Sequence, residues 1–220
     1  PKDCKPATVF EAIRGGRYRA AIEPIRATFS KVLAETGDIK RAKRAVDAAK
    51  KNLPGVLWSG RFTRRANDGL IEHSGLLCAD LDDLGERLAE VRAKLAKSPH
   101  LFALFVSPTG NGLKAVFRVM PDAGQHTASF HAVERHVLEL TGEGIDQACK
   151  DVARLCFASF DPAASLSVNA VALPPLANEA TKSIPAVTSA APEIEPRRRI
   201  ATELLGPNEW STESRGTCTC

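Results

Sequence analysis

Between residues 75 and 160 the chain alternates short apolar segments with amphipathic ones, and this order restricts the folds that are open to it. Apolar runs of about four to eight residues, bounded by turn-forming residues, are typical of buried strands. Apolar side chains spaced three and four positions apart are typical of helices. The pattern predicts strands at 75–81, 101–107, 113–119 and 155–160 and helices at 84–97 and 126–140.

The predicted order of elements is β-α-β-β-α-β, which is typical of the ferredoxin-like and RRM-like α+β folds. In that order the first and third strands are neighbours at the centre of an antiparallel sheet. Two helices cover one face of the sheet, and we expect the other face to be open for a ligand.

A basic helical extension is predicted before this core. Ile22, Ile25 and Phe29 recur at helical spacing, and a second apolar series follows a break at 36–38. A change to Ala, Pro, Ser and Thr after the core is typical of a linker. The predicted divisions are the helical extension (1–54), the core (55–170), the linker (171–196) and a tail or the start of a further module (197–220).

Positive charge is concentrated in one part of the chain. The net charge is only +4, yet nine basic residues stand against two acidic ones between Asp38 and Arg65. Such a cluster can follow a phosphate backbone. The alternative is a solvated helix face, and the charge run alone does not distinguish the two.

The cysteines and the hydropathy indicate the cellular setting. None of the six cysteines forms a CxxC pair, and no histidine stands at zinc-finger spacing. This usage predicts a reduced, cytoplasmic protein. No apolar stretch approaches the ~20 residues that a membrane span needs, so no membrane partner is expected.

The first predicted strand ends in carboxylates, in the segment GLLCADLDD at 75–83. Side chains alternate along a strand, so Asp80 and Asp82 share one face. Two carboxylates about 7 Å apart repel each other unless positive charge lies between them. The pair therefore indicates a divalent-metal site. The alternative, a helix N-cap, explains only one of the aspartates.

The hairpin SPTGNGLK at 107–114 contributes a lysine and a glycine-rich turn. Alternation places Lys114 on the predicted open face, opposite the carboxylates of the neighbouring strand. The glycines and hydroxyls are explained by the turn itself, or they form a small anion-binding nest.

A third carboxylate follows the second predicted helix, in GIDQACKDVARLCF at 144–157. Lys150 and Arg154 come at helical steps after Asp146, which predicts one helix face. Asp151 competes with Asp146 for a role in the site, although it falls on a different side of the turn, and the alternative is an Asp N-cap with solvated basic residues.

These motifs resemble those of the archaeo-eukaryotic primase superfamily. LLCADLD, SPTGNGLK and GID occur in the same order and at comparable spacing, and the chain is most similar to the branch known as the VirE N-terminal domain family. Further likeness in KNLPGVLWSGRF and KDVARLCFASFDP extends the resemblance from about Lys50 to Pro162. The resemblance implies an RRM-like core of the primase-polymerase type, in agreement with the predicted topology.

The resemblance also implies metal-dependent nucleotidyl transfer by a DNA primase/polymerase domain from a replication protein of a phage, plasmid or other mobile element. Asp80, Asp82 and Asp146 would hold two Mg²⁺ or Mn²⁺ ions. The residues implied for the nucleoside triphosphate are Ser107, Thr109, Gly110, Gly112, Lys114 and Arg154, and those implied for the DNA template are Lys50, Lys51, Arg61, Arg64 and Arg65.

Three functions remain open at this point. The first is a primase-polymerase domain joined through the linker to a helicase or ATPase module of a longer protein. The second is a non-catalytic nucleic-acid-binding module of the same fold. The third is a two-metal nuclease, because acidic metal clusters also serve hydrolysis.

Overall fold

The computed structural model describes residues 2–176 and 217–219, which form a mixed α+β structure with small, mostly antiparallel sheets. The helices are Pro6–Arg14 (α1), Arg19–Thr36 (α2), Ile39–Lys51 (α3), Leu88–Leu95 (α4) and His126–Thr141 (α5). The strands are Lys2–Asp3 (β1), Gly55–Leu57 (β2), Gly60–Phe62 (β3), Leu70–His73 (β4), Leu76–Leu81 (β5), Leu101–Val106 (β6), Leu113–Arg118 (β7), Cys156–Phe157 (β8), Ser165–Leu166 (β9) and Thr217–Thr219 (β10).

The central sheet has the strand order β5-β7-β6-β9, and all of its pairs are antiparallel. The predicted first and third strands, β5 and β7, are therefore neighbours, as expected. Their register places Asp80 directly opposite Lys114. The α+β class and the β-α-β-β-α part of the predicted order are confirmed.

One face of this sheet packs against α4 and α5. Leu77, Ala79 and Leu81 of β5 lie in a buried cluster with Val91 of α4 and Phe130 of α5. Their alternation along β5 sends Cys78 and Asp80 to the opposite face. This face of the sheet forms as the periodicity predicted.

The helix predicted at 84–97 begins later than expected. Asp83 and Gly85 have positive φ angles of 59° and 54°, and a 3-10 turn precedes α4. The backbone N–H groups of Leu84 and Gly85 donate to the carbonyl and side-chain oxygens of Asn111. These bonds hold the end of β5 against the β6–β7 hairpin and delay the helix.

The predicted fourth strand at 155–160 forms only in part, and it does not join the central sheet. Cys156–Phe157 is a strand that pairs with β2 in a second sheet of order β1-β10-β2-β8. The two-residue β9 instead joins the central sheet, at the β6 edge. Apart from its pairing with β7, β5 makes one backbone hydrogen bond among the described residues, from the Asp146 N–H to the Asp80 carbonyl over 2.9 Å.

The expectation of an open sheet face is also wrong over most of that face. Phe10 of α1 and Trp58 after β2 pack on Cys78, Phe105 and Val116 of the sheet. These strands carry apolar side chains on both faces, so covering both faces removes more apolar surface from water. The end of the face near Asp80 and Lys114 opens into a cleft.

Helices α2 and α3 form a hairpin beside this cleft, in the region where the apolar spacing predicted helices. Ile22, Phe29 and Val46 bury the contact between α2 and α3. The Asp38 side chain caps α3 by accepting hydrogen bonds from the N–H groups of Lys40 and Arg41. The cap fixes where α3 starts and so which of its lysines reach the cleft.

The predicted linker begins on the body of the protein. Leu173 forms a parallel bridge with Val119, and the Leu176 N–H donates to the Ala128 carbonyl over 3.2 Å. The remainder of the segment 171–196, and most of the tail at 197–220, lie outside the described residues. Within the described part of the chain, no helix has the length and apolarity required to span a membrane.

The state of the cysteines differs in part from the prediction. Cys78, Cys149 and Cys156 are buried free thiols. Cys4 is disulfide-bonded, so the expectation of a fully reduced protein is wrong at this residue.

Candidate active site

Asp80 lies at the floor of the cleft, near the end of β5. Its side chain is 5% exposed. The carboxylate oxygen Oδ2 accepts a hydrogen bond from Lys114 Nζ over 2.6 Å and another from Arg154 Nη2 over 3.1 Å. A buried carboxylate needs this compensation, because removing its charge from water is otherwise strongly unfavourable.

Asp146 reaches the same point from the segment after α5. Its Oδ1 accepts a hydrogen bond from the Ala148 N–H over 3.0 Å and so caps the 3-10 turn Gln147–Lys150. Its Oδ2 accepts a hydrogen bond from Arg154 Nη2 over 2.5 Å. One guanidinium nitrogen of Arg154 therefore bridges the two carboxylates, and the predicted meeting of Asp80 with Asp146 is observed.

The predicted helix face from Asp146 through Lys150 to Arg154 does not form. The 3-10 turn ends at Lys150, and Asp151 begins a second turn by accepting a hydrogen bond from the Ala153 N–H. Because the chain changes direction here, Arg154 contacts Asp80, whereas the Lys150 side chain is exposed to solvent.

Asp82 stands apart from the two joined carboxylates. It lies one residue beyond β5, its side chain is 51% exposed, and Lys43 Nζ of α3 contacts it at 3.3 Å. Asp83 contacts the same lysine at 2.8 Å. Burial alone would raise the pKa of Asp82, but Lys114 and Lys43 hold it below its ordinary value. The three predicted acids are thus arranged as a pair and one separate residue.

The two cations at the floor keep their charge. Burial acts against the protonated form of Lys114 and of Arg154, yet the adjacent Asp80 raises the pKa of both above their ordinary values. Both side chains are therefore fixed positive charges at neutral pH.

The pair of carboxylates fits one hard divalent cation. Oxygen atoms of Asp80 and Asp146 and the sulfur of Cys149 all lie within 4.8 Å of one another. Burial and the nearby Asp80 raise the pKa of the Cys149 thiol to about 12. The available donors at neutral pH are consequently carboxylate oxygens, which suit Mg²⁺ or Mn²⁺. Arg154 now holds the position between them, and its side chain is 31% exposed, so it has room to move.

The 107–112 turn forms one wall of the cleft. The Ser107 hydroxyl lies 3.1 Å from the Thr109 hydroxyl. The N–H groups of Ser107 and Gly110 donate to the Gly112 and Ser107 carbonyls, so these two amides are engaged inside the turn. The hydroxyls and the following Lys114, rather than these amides, can face a ligand.

Glycine is required at both predicted positions of this turn for steric reasons. Gly110 has a φ of 80°, which side chains disfavour. A Cβ at Gly112 would lie 2.4 Å from the Leu81 carbonyl oxygen, so only glycine allows the turn to approach β5 this closely. Gly110 and Gly112 therefore position the wall and are not among the side chains lining the cleft.

Arg26 of α2 is a site residue that the sequence analysis missed. Its Nη2 donates to the Phe160 carbonyl over 2.7 Å and to the Ser107 carbonyl over 3.2 Å. Burial lowers the pKa of Arg26, and Asp161 opposes that shift. Arg26 braces the turn against the segment that follows β8. An arginine inside an amphipathic helix gave no indication of this role.

The cleft as a whole has a volume of about 610 Å³, which is typical of sites for small ligands. We call it the central cleft. Positive side chains outnumber negative ones along its lining, which favours an anionic ligand. The charged residues of the central cleft are Lys43, Lys50, Lys51, Arg65, Lys114 and Arg154 with Asp80, Asp82 and Asp83.

Most of the residues that form this cleft belong to a segment that matches a known protein family. The sequence profile of the BT4734-like, N-terminal domain family matches residues 48–165. The chain belongs to this family. Comparison with curated proteins and with solved structures found no match. In this BT4734-like domain the matched segment contains Asp80, Lys114, Asp146 and Arg154, whereas Lys43 and Arg26 precede it.

The predicted template residues of this BT4734-like domain fall into two groups. Lys50, Lys51 and Arg65 line the central cleft. Arg61 and Arg64 do not line it. Arg61 of β3 pairs with Asp3 of β1 and Glu72 of β4, and Arg64 pairs with Asp68. The latter two arginines are consequently compensated outside the cleft.

Lys50 and Arg65 lack such compensation. No described carboxylate lies within 4.0 Å of either side chain, whereas Lys51 contacts Asp47 at 2.6 Å. Burial lowers the pKa of Lys50, and the neighbouring Lys114 adds to the shift. Within the cleft of this BT4734-like domain, Lys50 is a partly buried cation that an incoming anion would stabilise.

Proposed function

We propose that this domain is a metal-dependent nucleotidyltransferase of the DNA primase/polymerase type, acting in the replication of a phage, plasmid or other mobile element. One observation carries the proposal: Asp80 lies at the floor of a cleft whose other charged groups are mainly cations, and Asp146 meets it there behind the bridging Arg154. Paired carboxylates suit a divalent ion, and surrounding cations suit a triphosphate and a nucleic acid.

Asp80 and Asp146 would hold Mg²⁺ or Mn²⁺. When bound, such an ion lowers the pKa of an attacking hydroxyl and stabilises the charge that develops during displacement of pyrophosphate. The geometry supports one ion at this pair. A second ion would require Asp82, which at present contacts Lys43.

The chain's own cations would bind and orient the triphosphate. Lys114 and Arg154 are fixed positive charges at the floor, and charge-assisted hydrogen bonds to phosphate oxygens are strong ones. Lys50 supplies a further positive charge on the wall and forms no ion pair among the described residues. The Thr109 hydroxyl, which is partly exposed, can donate to the same oxygens.

A second candidate function is a non-catalytic nucleic-acid-binding module, and a specific contact favours it. Arg154 already bridges both carboxylates, and Lys114 pairs with Asp80, so the floor is electrically satisfied without a metal ion. In that case the cations on the walls would bind phosphates and no turnover would occur.

Asp146→Asn is the sharpest variant for separating the two functions. Asparagine retains an Oδ1 that can accept from the Ala148 N–H, so the turn is kept while the charge that would hold the ion is removed. Asp122→Asn is the matched control, because Asp122 also caps a 3-10 turn, by accepting from the Gly124 N–H, and does not line the central cleft.

The measurement is template-directed incorporation of labelled nucleotide with Mn²⁺ or Mg²⁺, together with Mn²⁺ binding by electron paramagnetic resonance. We expect Asp146→Asn to reduce both incorporation and Mn²⁺ affinity by about 100-fold or more, while Asp122→Asn matches the wild type. Normal incorporation by Asp146→Asn would refute the proposed cluster. DNA binding that resists chelator, without incorporation by the wild type, would favour the non-catalytic module.

A further inference from the structure

A second depression adjoins the central cleft on the far side of Arg154. It has a volume of about 510 Å³, and we call it the side groove. Arg65 and Arg154 line both the central cleft and the side groove, so the two depressions adjoin at these two side chains. The other principal side chains of the side groove are Asn67, Thr127, Gln147 and Lys150.

Two positive side chains of the side groove form no ion pair among the described residues. Arg65 and Lys150 are both exposed, and no described carboxylate lies within 4.0 Å of either. Asp151 is the acidic residue that lines the groove, and its Oδ1 is already occupied by the Ala153 N–H. By contrast, Arg64 and Arg135, which lie outside the groove, each pair with an acid four residues away in sequence.

The walls of the side groove are tied to each other and to the catalytic floor. Asn67 Oδ1 accepts a hydrogen bond from the Ala153 N–H over 3.3 Å, which joins the β3–β4 loop to the segment leading to Arg154. Lys150 ends the turn that Asp146 caps, so its backbone is held close to the carboxylate pair. The side groove is therefore structurally connected to the candidate active site.

We propose that the side groove binds the phosphodiester backbone of a single-stranded nucleic acid that enters the central cleft, an inference that rests on the proposed function. The lining is polar and basic, and Ala148 is its one apolar side chain among the residues described. Such a surface suits phosphates and gives little support to an apolar ligand. Its continuity with the cleft at Arg65 and Arg154 sets the path of the strand.

The experiment measures fluorescence anisotropy of a labelled single-stranded oligothymidylate with the full chain, in chelator and without nucleotide, over a range of salt concentrations. We expect Lys150→Ala and Arg65→Ala each to weaken binding about threefold to tenfold at low salt and to reduce the salt slope by about one. Arg64→Ala and Arg135→Ala are the matched controls, and we expect both to bind like the wild type.

Lys150 decides the outcome because it lines the side groove and not the central cleft. An unchanged affinity and salt slope in both Lys150→Ala and the charge reversal Lys150→Glu would overturn the inference. Circular dichroism and thermal unfolding of the same samples verify that each variant is folded. Because binding is measured without metal or nucleotide, a protein that never polymerises can still pass this test, and an active polymerase can fail it.

Discussion

The two ends of β5 bury titratable side chains in opposite ways. Just before its first residue, His73 and His126 lie in contact, with 3.0 Å between His73 Nε2 and His126 Nδ1. Near its last residue, Asp80 contacts Lys114 and Arg154. The buried groups at the first end are neutral imidazole rings, and those at the second end are charged side chains.

The protonation of the histidine end follows from its hydrogen bonds. The Gly75 N–H can only donate, and it points to His73 Nδ1 at 3.1 Å. His73 therefore carries its proton on Nε2 and donates to His126 Nδ1. His126 then has its proton on Nε2, for which the described residues offer no acceptor. A second proton would place charge in a site that cannot accommodate it.

The carboxylate end differs because it borders the central cleft. Its charges are compensated by two cations, one of which, Arg154, is 31% exposed. A buried site without access to solvent is stable only when neutral, whereas a charged site beside a cleft can exchange one ionic partner for another. The comparison indicates which end of the strand can take part in chemistry.

The largest expected effect comes from removing the Asp80 carboxylate at the charged end of β5. Asp80→Ala removes the partner of Lys114 and leaves a nearly buried ammonium, so we expect a loss of about 3–5 kcal/mol in the free energy of unfolding. The double variant Asp80→Ala/Lys114→Met should recover most of this loss, because no uncompensated charge remains. Urea unfolding of the single and double variants provides the measurement. Equal stabilities of the two variants would contradict a charge origin.

The histidine end should respond to acid instead. Burial, together with His73, lowers the pKa of His126 to about 4. The unfolded chain, with an ordinary histidine pKa of about 6.5, takes up this proton first, so the free energy of unfolding decreases as the pH falls from about 6.5 to about 4. We expect His126 to account for about 2–3 kcal/mol of that decrease.

Urea unfolding between pH 4 and 7 measures the effect, with His126→Gln as the comparison. Glutamine stays neutral throughout, so the free energy of unfolding of His126→Gln should fall between pH 7 and 4 by about 2–3 kcal/mol less than that of the wild type. Parallel curves would show that His126 is not responsible. Carboxylates that titrate near pH 4 affect both proteins and cancel in the difference.

The smallest effect is expected just beyond the charged end, where Lys43 contacts Asp82 and Asp83. Both contacts are substantially exposed, with 36% of the Lys43 side chain accessible. We expect Lys43→Ala to change the free energy of unfolding by less than about 1 kcal/mol. Lys31→Ala, which removes an exposed contact with Glu35, is the control. A loss comparable to that of Asp80→Ala would mean that burial does not govern these pairs.

The central strands could be predicted because their pattern is local. Leu77, Ala79 and Leu81 alternate with Cys78 and Asp80, and backbone geometry alone sends the two sets to opposite faces. The hairpin at 107–114 then places Lys114 opposite Asp80. The fourth strand was not predictable in the same way, because Cys156 and Phe157 pair with a β2 segment about one hundred residues earlier.

The amino-acid sequence by itself determined the alternation along β5 and β7, the helices on one face and the pairing of an acid with a lysine, since these depend on neighbouring residues. The tertiary structure alone decided that Arg154 bridges Asp80 and Asp146 and that Asp82 stays with Lys43. It also decided that α1 and Trp58 cover the other face. These outcomes depend on how distant segments pack, and packing selects among charge partners that the sequence leaves equivalent.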